Sequence, residues 1–156
     1  KMNERTDKIR LSLEDKRIRS CDVNSSDVLD YLDSVLETLN QELDTSKKYN
    51  DYQQLLGIPV LPWDDLMEIK DDLNLKLKLW TTIQQWDRSS TTWLAAIYDA
   101  IDAEEVTKQM NVYRKTVQQC EYGLVEESKA TLYLKCLPII YLAANSSHCW
   151  YFEACS

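Results

Sequence analysis

Two glycines and three prolines in 156 residues leave little material for tight turns. That scarcity argues against a sandwich of many short strands and against a low-complexity linker. Histidine occurs once, at His148, which removes most Ser-His-Asp and multi-histidine metal designs. Gly57 and Gly123 stand alone, so there is neither a phosphate-cradling loop nor a dinucleotide fingerprint. No uninterrupted apolar run reaches about 18 residues, and no apolar signal core comes after the basic start. The chain is therefore expected neither to span a membrane nor to carry an obvious secretion signal.

Cysteine is present but poorly arranged for a framework. Cys21, Cys120, Cys136, Cys149 and Cys155 form an odd set without C-x-x-C spacing, and Cys120 and Cys136 fall within apolar helical patterns where a thiol packs as a small hydrophobe. A reducing, cytoplasmic compartment is expected. His148, Cys149 and Cys155 are the one candidate ligand cluster, yet adjacent ligands suit a tetrahedral site badly and a fourth would have to come from afar. Neither a metal nor a cofactor is expected.

What the chain does have is charge and helical periodicity. Its formal net charge is −8, and residues 1–19 hold seven basic against four acidic side chains, so the remainder is strongly acidic. A nucleic-acid partner is argued against, because phosphate binding needs a cationic footprint. The carboxylate pairs Asp64 with Asp65, Asp71 with Asp72 and Glu104 with Glu105 fall at helix starts or on solvated faces, where anions suit the helix dipole. None marks a buried pair for acid/base work, so no catalytic residue and no small-molecule substrate are assigned.

Residues 3–19 read as one weakly held helix, with Ile9, Leu11, Leu13 and Ile18 on no single clean period. "CDVNSSDVLD" supplies a break, and Ser25 or Ser26 is the expected N-cap. Val28, Leu32, Val35, Leu39 and Leu43 then recur at three- and four-residue steps, with Leu29 and Leu36 widening the face, and predict an amphipathic helix to about Leu56. "GIPVLPWDD" interrupts it: Gly57 suits a helix C-terminus, Pro59 and Pro62 disfavour helix before them, and Asp64 or Asp65 can cap the next helix.

That helix, predicted over residues 65–100, contains "LWTTIQQWDRSSTTWL". At about 100° per residue Leu79, Trp86, Trp93 and Ile97 align in a narrow arc, with Ile83 beside them and Trp80 toward one edge. Large aromatics at this spacing read as core packing; partial exposure of Trp80 against another chain is the alternative. Asp102 and Glu105 form a capping-box pattern, and Val106, Met110, Tyr113, Val117, Cys120 and Leu124 alternate steps of four and three. Gly123 marks that helix's end. A further helix over residues 126–144 carries Pro138, where a kink or break is expected, and "SSHCWYFEACS" reads as the start of another. The expected fold is all-α, an elongated antiparallel bundle of four to six helices.

The landmarks "YNDYQQLLGIPVLPWDDLMEIK", "LKLWTTIQQWDRSSTTWLAAIYDAIDAEEV" and "LKCLPIIYLAANSSHCW" resemble dynein heavy chains where the tail runs into the linker. Leu79 and Trp80 match that family's "LW", Trp93 its downstream Trp, Asp102, Glu104 and Glu105 its helix start, and Leu137 with Pro138 its "LP". Cys149, between His148 and Trp150, departs from the family's terminal "HW". The likeness covers about two-thirds of the chain, from Tyr49 onward, and looks more axonemal than cytoplasmic.

The resemblance implies residues 1–56 as the end of the tail and 57–156 as the start of a linker-like bundle. It implies a non-catalytic mechanical segment of a microtubule motor, located in the cytoskeleton of a cilium or flagellum, whose partners are other parts of the heavy chain and the tail subunits. The family's ATPase ring would lie C-terminal to it. An independent spectrin-like helical adaptor is the competing reading of the same pattern.

Overall fold

A computed structural model describes residues 2–20, 23–60, 62–95 and 102–123. The expectations for Ile97, Leu124, Leu137, Pro138, His148, Cys21, Cys136, Cys149 and Cys155 fall outside the described residues. Every element among the described residues is a helix: α1 (Met2–Leu13), α2 (Lys16–Arg19), α3 (Ser25–Leu55), α4 (Asp64–Ala95) and α5 (Ala103–Gly123). The fold is an all-α bundle.

The N-terminal stretch is two helices, in place of the single one read from the sequence. Asp15 is the reason: its side chain accepts from Arg17 N at 2.8 Å and caps α2, a local bond that competes with continued helix. The cap of α3 also differs from the expectation of Ser25 or Ser26. Asn24 holds it, in an extended conformation, with Oδ1 accepting from Ser26 N at 3.0 Å. Asn is as good a cap as Ser, and with Asn24 in that role Ser25 lies inside the first turn, buried.

α3 closes on Gly57, whose φ of 67° is the left-handed conformation that ends a helix without a Cβ clash. Leu56 N donates to Tyr52 O, and Ile58 N to Gln53 O, so the last carbonyls are answered. α4 begins with Asp64 and Asp65 as its first two residues, where they complement the amino-terminal end of the dipole. Its 32 residues span about 48 Å at 1.5 Å per residue.

Cross-helix bonds fix the directions. Arg5 reaches Glu42 while Tyr31 reaches Ser12 O, so α1 runs antiparallel to α3. Ser89 meets Tyr113 and Lys78 meets Gln119, so α4 and α5 are antiparallel. α3 and α4 lie side by side across the Gly57 joint, with Gln84 donating to Ser26 Oγ at the far end. One core runs through all of them. Ile9, Leu13 and Ile18 meet Val28, Leu32 and Leu39 of α3, and the same cluster takes in Leu66, Leu73 and Trp80 of α4 and Met110, Val117 and Cys120 of α5.

Candidate functional site

α4 is the element that touches α1, α3 and α5, so its packing decides whether the bundle behaves as one body. Leu79, Trp80, Ile83 and Trp86 are buried, and Trp80 has no exposed surface at all. Trp80, read from the wheel as a core residue toward one edge of the stripe, is interior, and the alternative of partial exposure against another chain falls away. With α3 on one side and α5 on the other, an edge position of α4 is still interior.

Trp93 is half-buried and packs against the core from α4's last turns. Trp86 meets it edge-on, with ring centroids 6.1 Å apart and planes at 82°. A second edge-on contact joins Trp86 to Tyr113 of α5 at 6.1 Å and 90°. Such T-shaped pairs set the positive edge of one ring on the negative face of another and fix helix rotation as well as separation. The Tyr113 hydroxyl and Ser89 Oγ share a hydrogen bond of 3.0 Å, answering the polar end of the ring.

Of the remaining α5 positions singled out in the sequence, Met110 and Val117 are buried, while Val106 and Tyr113 are half-buried against the core. Asp102 caps this helix: its Oδ1 accepts from Glu104 N at 3.0 Å and from Glu105 N at 3.2 Å. The Glu105 carboxylate accepts from Gln109 Nε2 one turn on. At the other end the Cys120 thiol, fully enclosed, donates to Leu75 O at 3.7 Å. Burial raises its pKa, with Lys78 opposing weakly, so the thiol is kept protonated and unreactive.

Two charged features escape the periodicity. Lys76 is 5% exposed in the middle of α4 and pairs with Asp72 one turn back. The pair faces a groove of about 480 Å³ between α1, α2 and α4, which Arg10, Glu14, Arg19 and Glu68 also line. Cations and anions alternate there, which gives no single-sign field for an ionic ligand. Arg17 lies over the Tyr31 ring at 4.3 Å and pairs with Asp15; its hydrogen bonds hold the Asp15 carboxyl below the usual range. Among the described residues no group of three His, Cys, Asp or Glu side chains could hold a metal ion. No helix among them is long and apolar enough to cross a membrane.

The fold and its aromatic seam therefore define a helical packing element, three helices clamped about the central α4. Similarity carries this further. The chain is 28% identical over 130 residues, 81% of its length, to "Dynein axonemal heavy chain 6" of Homo sapiens. Over 72 residues, 46% of its length, it is 33% identical to "Dynein axonemal heavy chain 1" of Mus musculus and 32% identical to the Homo sapiens protein of that name. Over these stretches the chain is similar to dynein heavy chains of the axonemal type. The matched stretch spans only 3% of the first of these relatives and 2% of the second. No family profile and no solved structure matches.

Proposed function

We propose that this segment joins the cargo-bearing tail of an axonemal dynein heavy chain to the linker that transmits the ATP-driven stroke, and that it performs no catalysis itself. Residues 1–56 are the end of the tail and residues 57–156 the start of the linker-like bundle. Its partners are other parts of the heavy chain and tail subunits, in the cytoskeleton of a cilium or flagellum. The observation that carries this reading is α4: a helix of 32 residues with a fully enclosed Trp80 and neighbours packed on either side. A connector that conveys a stroke must move as a body and not absorb it, and interiors packed at crystal density deform little.

The test uses the intact heavy chain carrying Trp80→Ala. Microtubule gliding velocity is expected to fall several-fold while nucleotide turnover stays within about twofold, because only transmission is loosened. Unchanged velocity in a protein whose bundle is measurably destabilised overturns the reading. The reading frame offers a cheaper check: nucleotide-binding modules downstream of Ser156 support it, and a stop codon soon after favours the independent adaptor.

A further inference from the structure

α4 changes character at Trp86. From Leu66 to Trp86 its buried residues are never more than four positions apart. Beyond Trp86 no residue of α4 is buried: Ser89, Ser90 and Trp93 are half-buried and the others are exposed. Most of the stability of a helix inside a protein comes from packing of one face, so residues 87–95 hold their shape with little of that support.

Their composition adds little. In "DRSSTTW", residues 87–93, only Arg88 is a strong helix former. The hydroxyls also bond back to the helix in succession: Ser90 Oγ donates to Asp87 O at 3.2 Å, Thr91 Oγ1 to the same carbonyl at 2.7 Å, and Thr92 Oγ1 to Arg88 O at 2.9 Å. Such back-bonding slightly destabilises a helix and favours bending. Thr38 and Thr82 make the same bond singly, in turns anchored by buried neighbours, Val35 and Leu39 for the first and Leu79 and Ile83 for the second. Residues 90–92 make it three times running and have no buried residue after Trp86 to anchor them.

Two ties flank this weak turn. Ser89, just before it, shares its hydrogen bond with Tyr113 of α5, and Trp93, just after it, sets its ring edge-on to Trp86 at 6.1 Å. Opening between them parts Trp93 from Trp86 and leaves the core from Leu66 to Trp86 closed. We infer that residues 90–92 are a built-in yield point of α4, at which the last turns open and reclose while the core of the bundle stays shut. Under load this turn gives before the bundle does. It serves an independent adaptor in the same way as a tail-to-linker connector, so the gliding experiment and the one below fail separately.

Hydrogen exchange of the intact chain, read by mass spectrometry on peptides covering residues 88–95 and residues 70–80, provides the test. Residues 88–95 are expected to exchange about a hundredfold faster than residues 70–80. Ser90→Ala, Thr91→Ala and Thr92→Ala together remove the back-bonds and raise helix propensity. That variant is expected to slow exchange at residues 88–95 about tenfold and to leave residues 70–80 unchanged. Thr38→Ala, which removes one isolated bond, is expected to alter exchange in its own turn by less than about twofold, because buried Val35 and Leu39 hold it. Protection at residues 88–95 equal to that at residues 70–80 overturns the inference. So does a triple variant that leaves exchange at residues 88–95 unchanged or slows residues 70–80 equally, and so does a slowing around Thr38 as large as that at residues 88–95.

Discussion

Trp86 of α4 and Tyr113 of α5 meet edge to face, ring centroids 6.1 Å apart and planes at 90°. The contact joins two consecutive helices and sets their rotation as well as their distance. Trp86→Ala is expected to cost about 3–5 kcal/mol, the loss for an aromatic removed from a core. Trp93→Ala is expected to cost less, because part of that ring's surface is already open to water. Urea unfolding monitored by circular dichroism checks both. Equal losses would mean that Trp86 gains nothing from the α5 side.

The α5 cap offers a smaller and cleaner test. Asp102 satisfies two first-turn amides, so Asp102→Ala is expected to destabilise by about 1 kcal/mol and Asp102→Asn by only a few tenths. If Asn costs as much as Ala, the effect comes from charge at the helix terminus and not from the hydrogen bonds.

Gly57 is the one glycine among the described residues that must be glycine for conformational reasons. With φ at 67° and no atom within 4 Å of an added Cβ, Gly57→Ala is expected to cost about 1 kcal/mol from backbone strain alone. Gly57→Asn, which tolerates this conformation better, is expected to recover part of that. A neutral alanine variant would show that α3 ends differently.

Asp15 carries a pH signature. Its carboxyl is held below the ordinary range first by the side-chain hydrogen bond from Arg17 and then by the Arg17 backbone amide. A carboxyl whose folded pKa is depressed contributes stability that is fully present above its unfolded value and is lost as pH falls through the folded value. The pairing is largely exposed, so the contribution is small. Titration of the Asp15 carboxyl carbon by NMR is expected to give a value below that of a model peptide, moving back up in Arg17→Ala. No movement would assign the shift to the backbone amide alone.

How legible this molecule is from its sequence depends on which force sets each feature. Helices held by a repeated apolar face are plain: Val28, Leu32, Val35 and Leu39 state their own spacing, and so do Met110, Val117 and Cys120. The Gly57 joint is equally plain, because glycine and two prolines act locally. Features decided by a single side-chain bond are not, which is why the break at Asp15 is absent from the reading and the cap at Asn24 differs from it by a residue or two. Trp80 is instructive in another way. A helical wheel measures angle, whereas burial depends on how many neighbours a helix has, and α4 has them on more than one side. Lys76 gives no signal, since a lysine between leucines reads as solvated, whereas it is buried and paired with Asp72.

The central claim is that α3, α4 and α5 form one mechanical body. Native-state hydrogen exchange tests it most directly, by comparing the opening free energies of amides in the middle of the three helices. The account expects the slowest amides of all three to open with the same free energy, and to fall together in Trp80→Ala, as one cooperative unit does. Separate free energies, with α3 or α5 losing protection while α4 keeps it, would contradict the account.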